Sequence, residues 1–132
     1  MAKRFYLATK KDRAKQADEI SEALTARGWE RTLTWSDRIH ASSESHAELA
    51  KAELEAVRQA DVLIVMLPGG YGTHVEIGAA LALGKPVILH TPDQKTLEAP
   101  YPCVFHYHPN IKILVSEVLN LDDLVSYLSS CA

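Results

Sequence analysis

Two periods of apolar spacing alternate along this chain. Arg4 to Ala8, RFYLA, is a short apolar run; after the polar TKKDR, residues Ala17, Ile20 and Leu24 recur along one helical face. Gly28 stands where a helix-ending C′ residue would. Trp29 to Trp35, WERTLTW, alternates with period two and predicts a strand, with Trp29, Arg31, Leu33 and Trp35 on one face. Ser36 to His46 is polar and unpatterned, the longest predicted loop. Ala47 to Ala60 is rich in strong helix formers, with Leu49, Ala52, Ala56 and Val57 as its apolar stripe. Asp61 to Leu67, DVLIVML, is apolar at every position but the first, as in a central parallel strand covered on both faces. The next helix, THVEIGAALALG, runs from Thr73 to Gly84, and Lys85 to His90 is a strand. Residues 91–102 form a predicted loop containing Pro92, Pro100 and Pro102. Cys103 to Val115 holds one or two short strands interrupted at Pro109, and Ser116 to Ser130 is an amphipathic closing helix.

This alternation predicts an α/β fold of three layers: an open, mostly parallel five-stranded sheet of the flavodoxin or Rossmann kind. At 132 residues the whole chain is expected to form one domain. Ligands of such sheets sit beyond the carboxyl ends of the strands, and PGGYGT follows the most apolar strand directly. Gly69, Gly70 and Gly72 are expected to free the backbone for positive φ angles and to leave no Cβ in a ligand's way. A helix starting near Thr73 would then offer unpaired N–H groups and a positive dipole end to a phosphate or a ribose hydroxyl. The loop lacks the Lys-Ser/Thr ending of a P-loop and the GxGxxG spacing of a dinucleotide site. Two readings of Glu76 stay open on the pattern alone. Thr73-x-x-Glu76 spells a capping box. Equally, a carboxylate in the first helical turn is held ionised by the dipole, within reach of whatever the loop binds, as a nucleophile for a sugar carbon requires.

Composition narrows the partners. With 14 basic and 17 acidic side chains the formal net charge is −3, and no basic run exceeds KR or KK, which argues against a nucleic-acid-binding face. No stretch has the length of a membrane helix or of a signal-peptide core, so a cytoplasmic protein is expected. Cys103 and Cys131 lie far apart without a CxxC partner and read as reduced thiols. His106 and His108 would alternate on one strand face, a spacing able to hold metal, but no third ligand is evident; neither metal nor cofactor is expected.

Tyr6 to Ala8 (YLA), AELEAVRQADVLIVML and GTHVEIGAALALGKPVIL together resemble, in order and over most of the chain, the nucleoside 2-deoxyribosyltransferase superfamily, which includes the 2′-deoxynucleoside 5′-monophosphate N-hydrolases. PGGYGTHVE is also similar to the PGGxGTxxE signature of the cytokinin-activating phosphoribohydrolases, whose early glycine-rich turn and Arg-Lys pair are not found here. The resemblance implies an enzyme that cleaves the N-glycosidic bond of nucleosides or nucleoside 5′-monophosphates, by hydrolysis or by transfer to another base, without a cofactor. It implies Glu76 as nucleophile, Tyr6 as an active-site tyrosine, and a second acid about eight positions before Asp61. That position is Glu53, with Glu55 and Asp61 as the other choices. Gly69, Gly70, Gly72 and Thr73 would hold substrate, His74 lies beside the nucleophile, and Trp35 could stack on a base. Transferases carry acidic residues where this chain has Leu67 to Gly70; the uncharged loop suits a 5′-phosphate, for which Lys10, Lys11 and Arg13 could supply counter-charge. The small face of Gly78, Ala79, Ala80 and Ala82, together with the family's habit, predicts a homodimer or larger homo-oligomer. The competing class is a nucleotide-binding or sensor module without turnover, and a dinucleotide such as NAD as substrate ranks third.

Overall fold

Strand β3 (Val62–Met66) is buried along its whole length, and the fold is built outward from it. It pairs with β1 (Arg4–Thr9) on one side and β4 (Val87–Thr91) on the other. The edges are β2 (Glu30–Arg31) beside β1 and β5 (Ile111–Val115) beside β4. The computed structural model describes residues 3–35 and 43–130. All five strands are parallel, in the order β2-β1-β3-β4-β5. The strand order therefore reverses between β1 and β3, and the crevice beyond their carboxyl ends is where a ligand is expected in this architecture.

Helices cover both faces. Helix α1 (Ala14–Thr25) packs against α5 (Leu121–Ser130), while α2 (Ser43–Gln59) packs against α3 (Tyr71–Ala82), and both α2 and α3 touch β1. The apolar stripes meet the sheet as the periodicity predicts: Ala17 and Leu24 of α1, Ala56 and Val57 of α2, and Ile77 and Ala80 of α3 are buried. Gly84 has φ +72° just past α3, with its N–H bonded to Leu81 O and the Lys85 N–H to Ala80 O, the paired closure of a Schellman motif. Gly28, at φ +93°, closes α1 in the same way, with its N–H bonded to Thr25 O and the Trp29 N–H to Leu24 O, as the C′ reading expects.

Several element boundaries differ from the sequence reading. The strand expected over Trp29–Trp35 is only Glu30–Arg31. Thr32 N–H still reaches Phe5 O at 3.0 Å, but the next acceptor along β1, Leu7 O, is taken at 2.7 Å by the indole N–H of Trp35, whose side chain turns inward and ends the ladder. The predicted loop 91–102 contains α4 (Gln94–Glu98), capped by Asp93, which accepts from Thr96 N–H at 2.6 Å. Val104–Tyr107 is a 3-10 turn between Pro102 and Pro109, not a strand, so His106 and His108 do not share a strand face. Helix α5 begins at Leu121, where Asn120 accepts from Asp123 N–H at 3.0 Å, rather than at Ser116. Helix α2 starts before Ala47, and part of the predicted loop Ser36–His46 lies outside the described residues. No helix among the described residues is long and apolar enough to cross a membrane.

Candidate active site

Side chains alternate along β1, so Phe5 and Leu7 face one layer while Tyr6 faces the α2 and α3 side. Tyr6 is fully buried, and its hydroxyl donates to Glu76 Oε2 of α3 and lies 3.3 Å from Glu53 Oε1 of α2. Three residues spaced 47 and 70 positions apart along the chain thus meet at one phenol oxygen. The other acids considered from sequence are engaged elsewhere: Glu55 pairs with Arg58, and Asp61 Oδ2 accepts from Arg4 N–H at 2.8 Å. Glu53, read from sequence as either the second acid or a helix charge pairing with Lys51 or Arg58, lies against the Tyr6 hydroxyl.

The glycine loop explains why Glu76 is free to do this. Helix α3 starts at Tyr71 with Gly70 as N-cap, so Thr73 is the N3 residue, and its Oγ1 accepts from Gly70 N–H at 3.1 Å. Thr73 caps alone, and Glu76 stands in the second turn with its carboxyl turned inward. The capping-box reading of Thr73 with Glu76 is replaced by this arrangement. Gly69, Gly70 and Gly72 do not use positive φ, contrary to expectation. Gly69 is required by contact instead: a Cβ there would stand 2.7 Å from Thr73 Cγ2 and 2.9 Å from Thr73 Cβ. At Gly72 a Cβ would meet nothing within 4 Å.

Glu76 is only 7% exposed, and burial drives its carboxyl up to about 8, with the Tyr6 hydrogen bond opposing and the neighbouring Glu53 reinforcing. The dipole does not hold it ionised as the first-turn placement implied; desolvation outweighs a field that fades within a turn. Burial and both carboxylates push the Tyr6 hydroxyl well above the usual phenol range, so it remains a donor. Glu53 and Glu76 thus face one phenol hydroxyl, and the nearness of Glu53 adds to the burial that favours the protonated form of the Glu76 carboxyl.

Cationic groups gather at the crevice mouth. Arg13, in the 3-10 turn Lys11–Arg13 after β1, donates to Leu67 O at 2.6 Å, and the Lys10 stem lies against Gly70. Thr9 Oγ1 bonds Met66 O at 2.6 Å and ties the same ends of β1 and β3. Sequence reasoning did not single out His90. It is buried in β4 beside Met66, with Nε2 donating to Ser116 O at 2.8 Å, and burial and the charge of Arg13 hold it below the usual imidazole range.

Two expected substrate contacts sit differently. Trp35 is buried in the core cluster with its N–H bonded to Leu7 O, rather than standing as an open platform for a base. His74 follows Thr73 but is exposed while Glu76 is buried, because residues two apart on a helix project to opposite sides. Its ring meets His106 of the 3-10 turn Val104–Tyr107, with the two Nε2 atoms 3.0 Å apart.

A profile of the family described as nucleoside 2-deoxyribosyltransferase matches residues 5–123. Among solved structures, the CMP N-glycosidase BcmB of Clostridium botulinum is 26% identical, with 98% of this chain and 100% of that one covered and a TM-score of 0.64. A conserved protein of Enterococcus faecalis V583 is 18% identical over all of both chains, TM-score 0.75. The 2-deoxyribosyltransferase of Bacillus psychrosaccharolyticus is 20% identical over 97% of this chain and 95% of that one, TM-score 0.68. These last two likenesses bear on the fold alone. No functionally curated protein sequence matches the chain at a significant level.

Proposed function

The chain belongs to the nucleoside 2-deoxyribosyltransferase family, and from that premise we propose that it cleaves the N-glycosidic bond of nucleoside 5′-monophosphates, with Glu76 as nucleophile and Glu53 as acid and base. The observation that carries the reading is the buried Tyr6–Glu76–Glu53 cluster at the reversal of strand order. Both carboxylates reach one hydroxyl, so their facing oxygens are within about 6 Å. That favours the close spacing of a covalent, retaining glycosidase over the wider gap an inverting enzyme leaves for water.

In the proposed reaction the proton that Glu76 holds at neutral pH first passes to Glu53, and a Glu76 carboxylate oxygen then attacks C1′ while the C1′–N bond breaks. The base leaves with that electron pair and takes the proton held by Glu53. Water then attacks C1′ of the glycosyl ester, Glu53 accepts its proton, and Glu76 departs as carboxylate. The balance is one water consumed, with hydroxyl on the sugar and hydrogen on the base. Another base replacing water in the second half would make the same machinery a transferase. Tyr6 holds Glu76 in place and touches the reacting oxygen's own carboxyl, a positioning role.

The preference for a 5′-phosphate rests on Lys10 and Arg13 beside a loop without acids, and the N-glycosidase among the similar structures is described as acting on CMP. The test is incubation of the purified protein with CMP, dCMP and the matching nucleosides, with and without an acceptor base, followed by chromatography beside Glu76→Gln. Free cytosine from the monophosphates by wild type alone supports the proposal. A new nucleoside formed only with the acceptor base makes it a transferase. No product from any substrate, with nucleotides still raising Tm, means a binding module.

A further inference from the structure

We propose that His74, Cys103 and His106 form a zinc-binding site on the outer side of α3, apart from the carboxylate cluster. One ligand atom from each of these side chains lies within 4.8 Å of the others. Cys103 and His106 are spaced Cys-x-x-His and are fixed by the backbone, since His106 N–H bonds Cys103 O at 3.0 Å to close the 3-10 turn. Two ligands separated by two residues on one tight turn can reach a single ion, a separation that zinc sites use between paired cysteines.

The protonation pattern points the same way. His74 Nδ1 lies 2.9 Å from Gly70 O, and a carbonyl only accepts, so Nδ1 carries the proton and Nε2 is a lone pair. This backbone anchor is the arrangement that orients metal-bound histidines. The His74 Nε2 lone pair faces His106 Nε2 at 3.0 Å, close to the roughly 3.3 Å between two nitrogens of a tetrahedral zinc site. The rings are tilted by 33°, with centroids 5.1 Å apart, so they meet edge to edge rather than stacking.

Without a cation the two imidazoles share one proton, donated by His106, whose Nδ1 is then a buried atom with no partner among the described residues. His106 is only 4% exposed, an unusual burial for a ring so poorly satisfied. Zinc would take both Nε2 lone pairs, with the His106 proton moved to Nδ1, and the Cys103 thiolate after its thiol proton passes to water. Three protein ligands leave the fourth position open to water or another small donor. The ion would pin the 103–107 turn to the first turn of α3 and, through His74 and Gly70, steady the glycine loop.

The experiment titrates reduced, metal-stripped full-length protein with Zn2+ in competition with a chromophoric chelator, then repeats it with Co2+ as a spectroscopic stand-in. One equivalent should bind, and Co2+ should give the visible bands of a tetrahedral site with a thiolate-to-metal charge-transfer band. Cys103→Ser and His74→Asn should each lose affinity by at least about 100-fold, more than loss of an outer partner costs. Cys131→Ser and His108→Asn should leave it unchanged. Failure of the wild type to compete for zinc overturns the proposal, as does a Cys103→Ser protein that binds equally well. Cys103 is only half-buried, so its serine variant should fold, and Tm without metal checks that it does.

Discussion

Glu76→Gln should stabilise the protein while abolishing its turnover, and the stabilisation should grow with pH. Glu76 ionises near 4.5 when unfolded and at about 8 in the folded chain. Between those values the folded protein holds a proton that the unfolded chain has released, so stability is fully present below about 4.5 and is lost as pH rises through 8. The displacement corresponds to roughly 5 kcal/mol of penalty on the buried anion. Glutamine has the same shape, stays neutral, can still accept from Tyr6, and can donate to Glu53. The variant should therefore exceed wild type by up to roughly 5 kcal/mol at pH 8.5, or about 10–20 °C in Tm for a domain of this size. At pH 5 the gain should shrink to about 2 °C. Activity moves the other way, with kcat/KM falling by at least about a thousandfold. Thermal melts of both proteins across that pH range are the assay. A Glu76→Gln Tm at or below wild type at pH 8.5, or an offset that does not change with pH, refutes the reasoning.

The alkaline limb of the pH–rate profile should lie near pH 8, where the proton that Glu76 holds and passes to Glu53 for the leaving base is lost. Tyr6→Phe removes the bond that favours the anion and should move that limb to higher pH. Glu53→Gln removes the neighbouring charge and should move it lower while cutting kcat by about 10²–10⁴-fold, most for poor leaving bases. Unshifted limbs in both variants would detach Tyr6 and Glu53 from the titrating group. Gly69→Ala should lower stability by about 1–3 kcal/mol, because its Cβ collides with Thr73, whereas Gly72→Ala should be neutral or stabilising in thermal melts. Lys10→Ala should raise KM for monophosphates but not for nucleosides, measured by initial rates.

Strands buried on both faces were legible from sequence because most of their side chains are apolar; β1, β3 and β4 fall where the apolar runs put them. The edges were less so. Alternation in WERTLTW is genuine, but at an edge one indole competing for Leu7 O decides where the ladder stops, and no pattern of apolar positions carries that. Asp93 and Thr96 did spell a cap for α4, hidden among prolines. At the site, Glu76, Tyr6 and Glu53 all came from motif resemblance, Glu53 with Glu55 and Asp61 as alternatives, and the fold brings Glu53 rather than those two to the Tyr6 hydroxyl. The protonation of Glu76 could not be read from a helix position, because it depends on how deeply the carboxyl is buried. His74 and Cys103 stand about thirty residues apart, and only the packing of the 103–107 turn on α3 unites them.

The most direct measurement is of the covalent intermediate. Wild-type protein would be quenched in acid during turnover of a nucleoside 5′-monophosphate, and of a 2′-fluorinated analogue that slows release of the sugar, then digested and mapped by mass spectrometry. A pentose phosphate ester on Glu76, absent from Glu76→Gln, is the predicted result. Continued release of base with no adduct on the Glu76 peptide, or an adduct on another residue, would contradict Glu76 as the nucleophile.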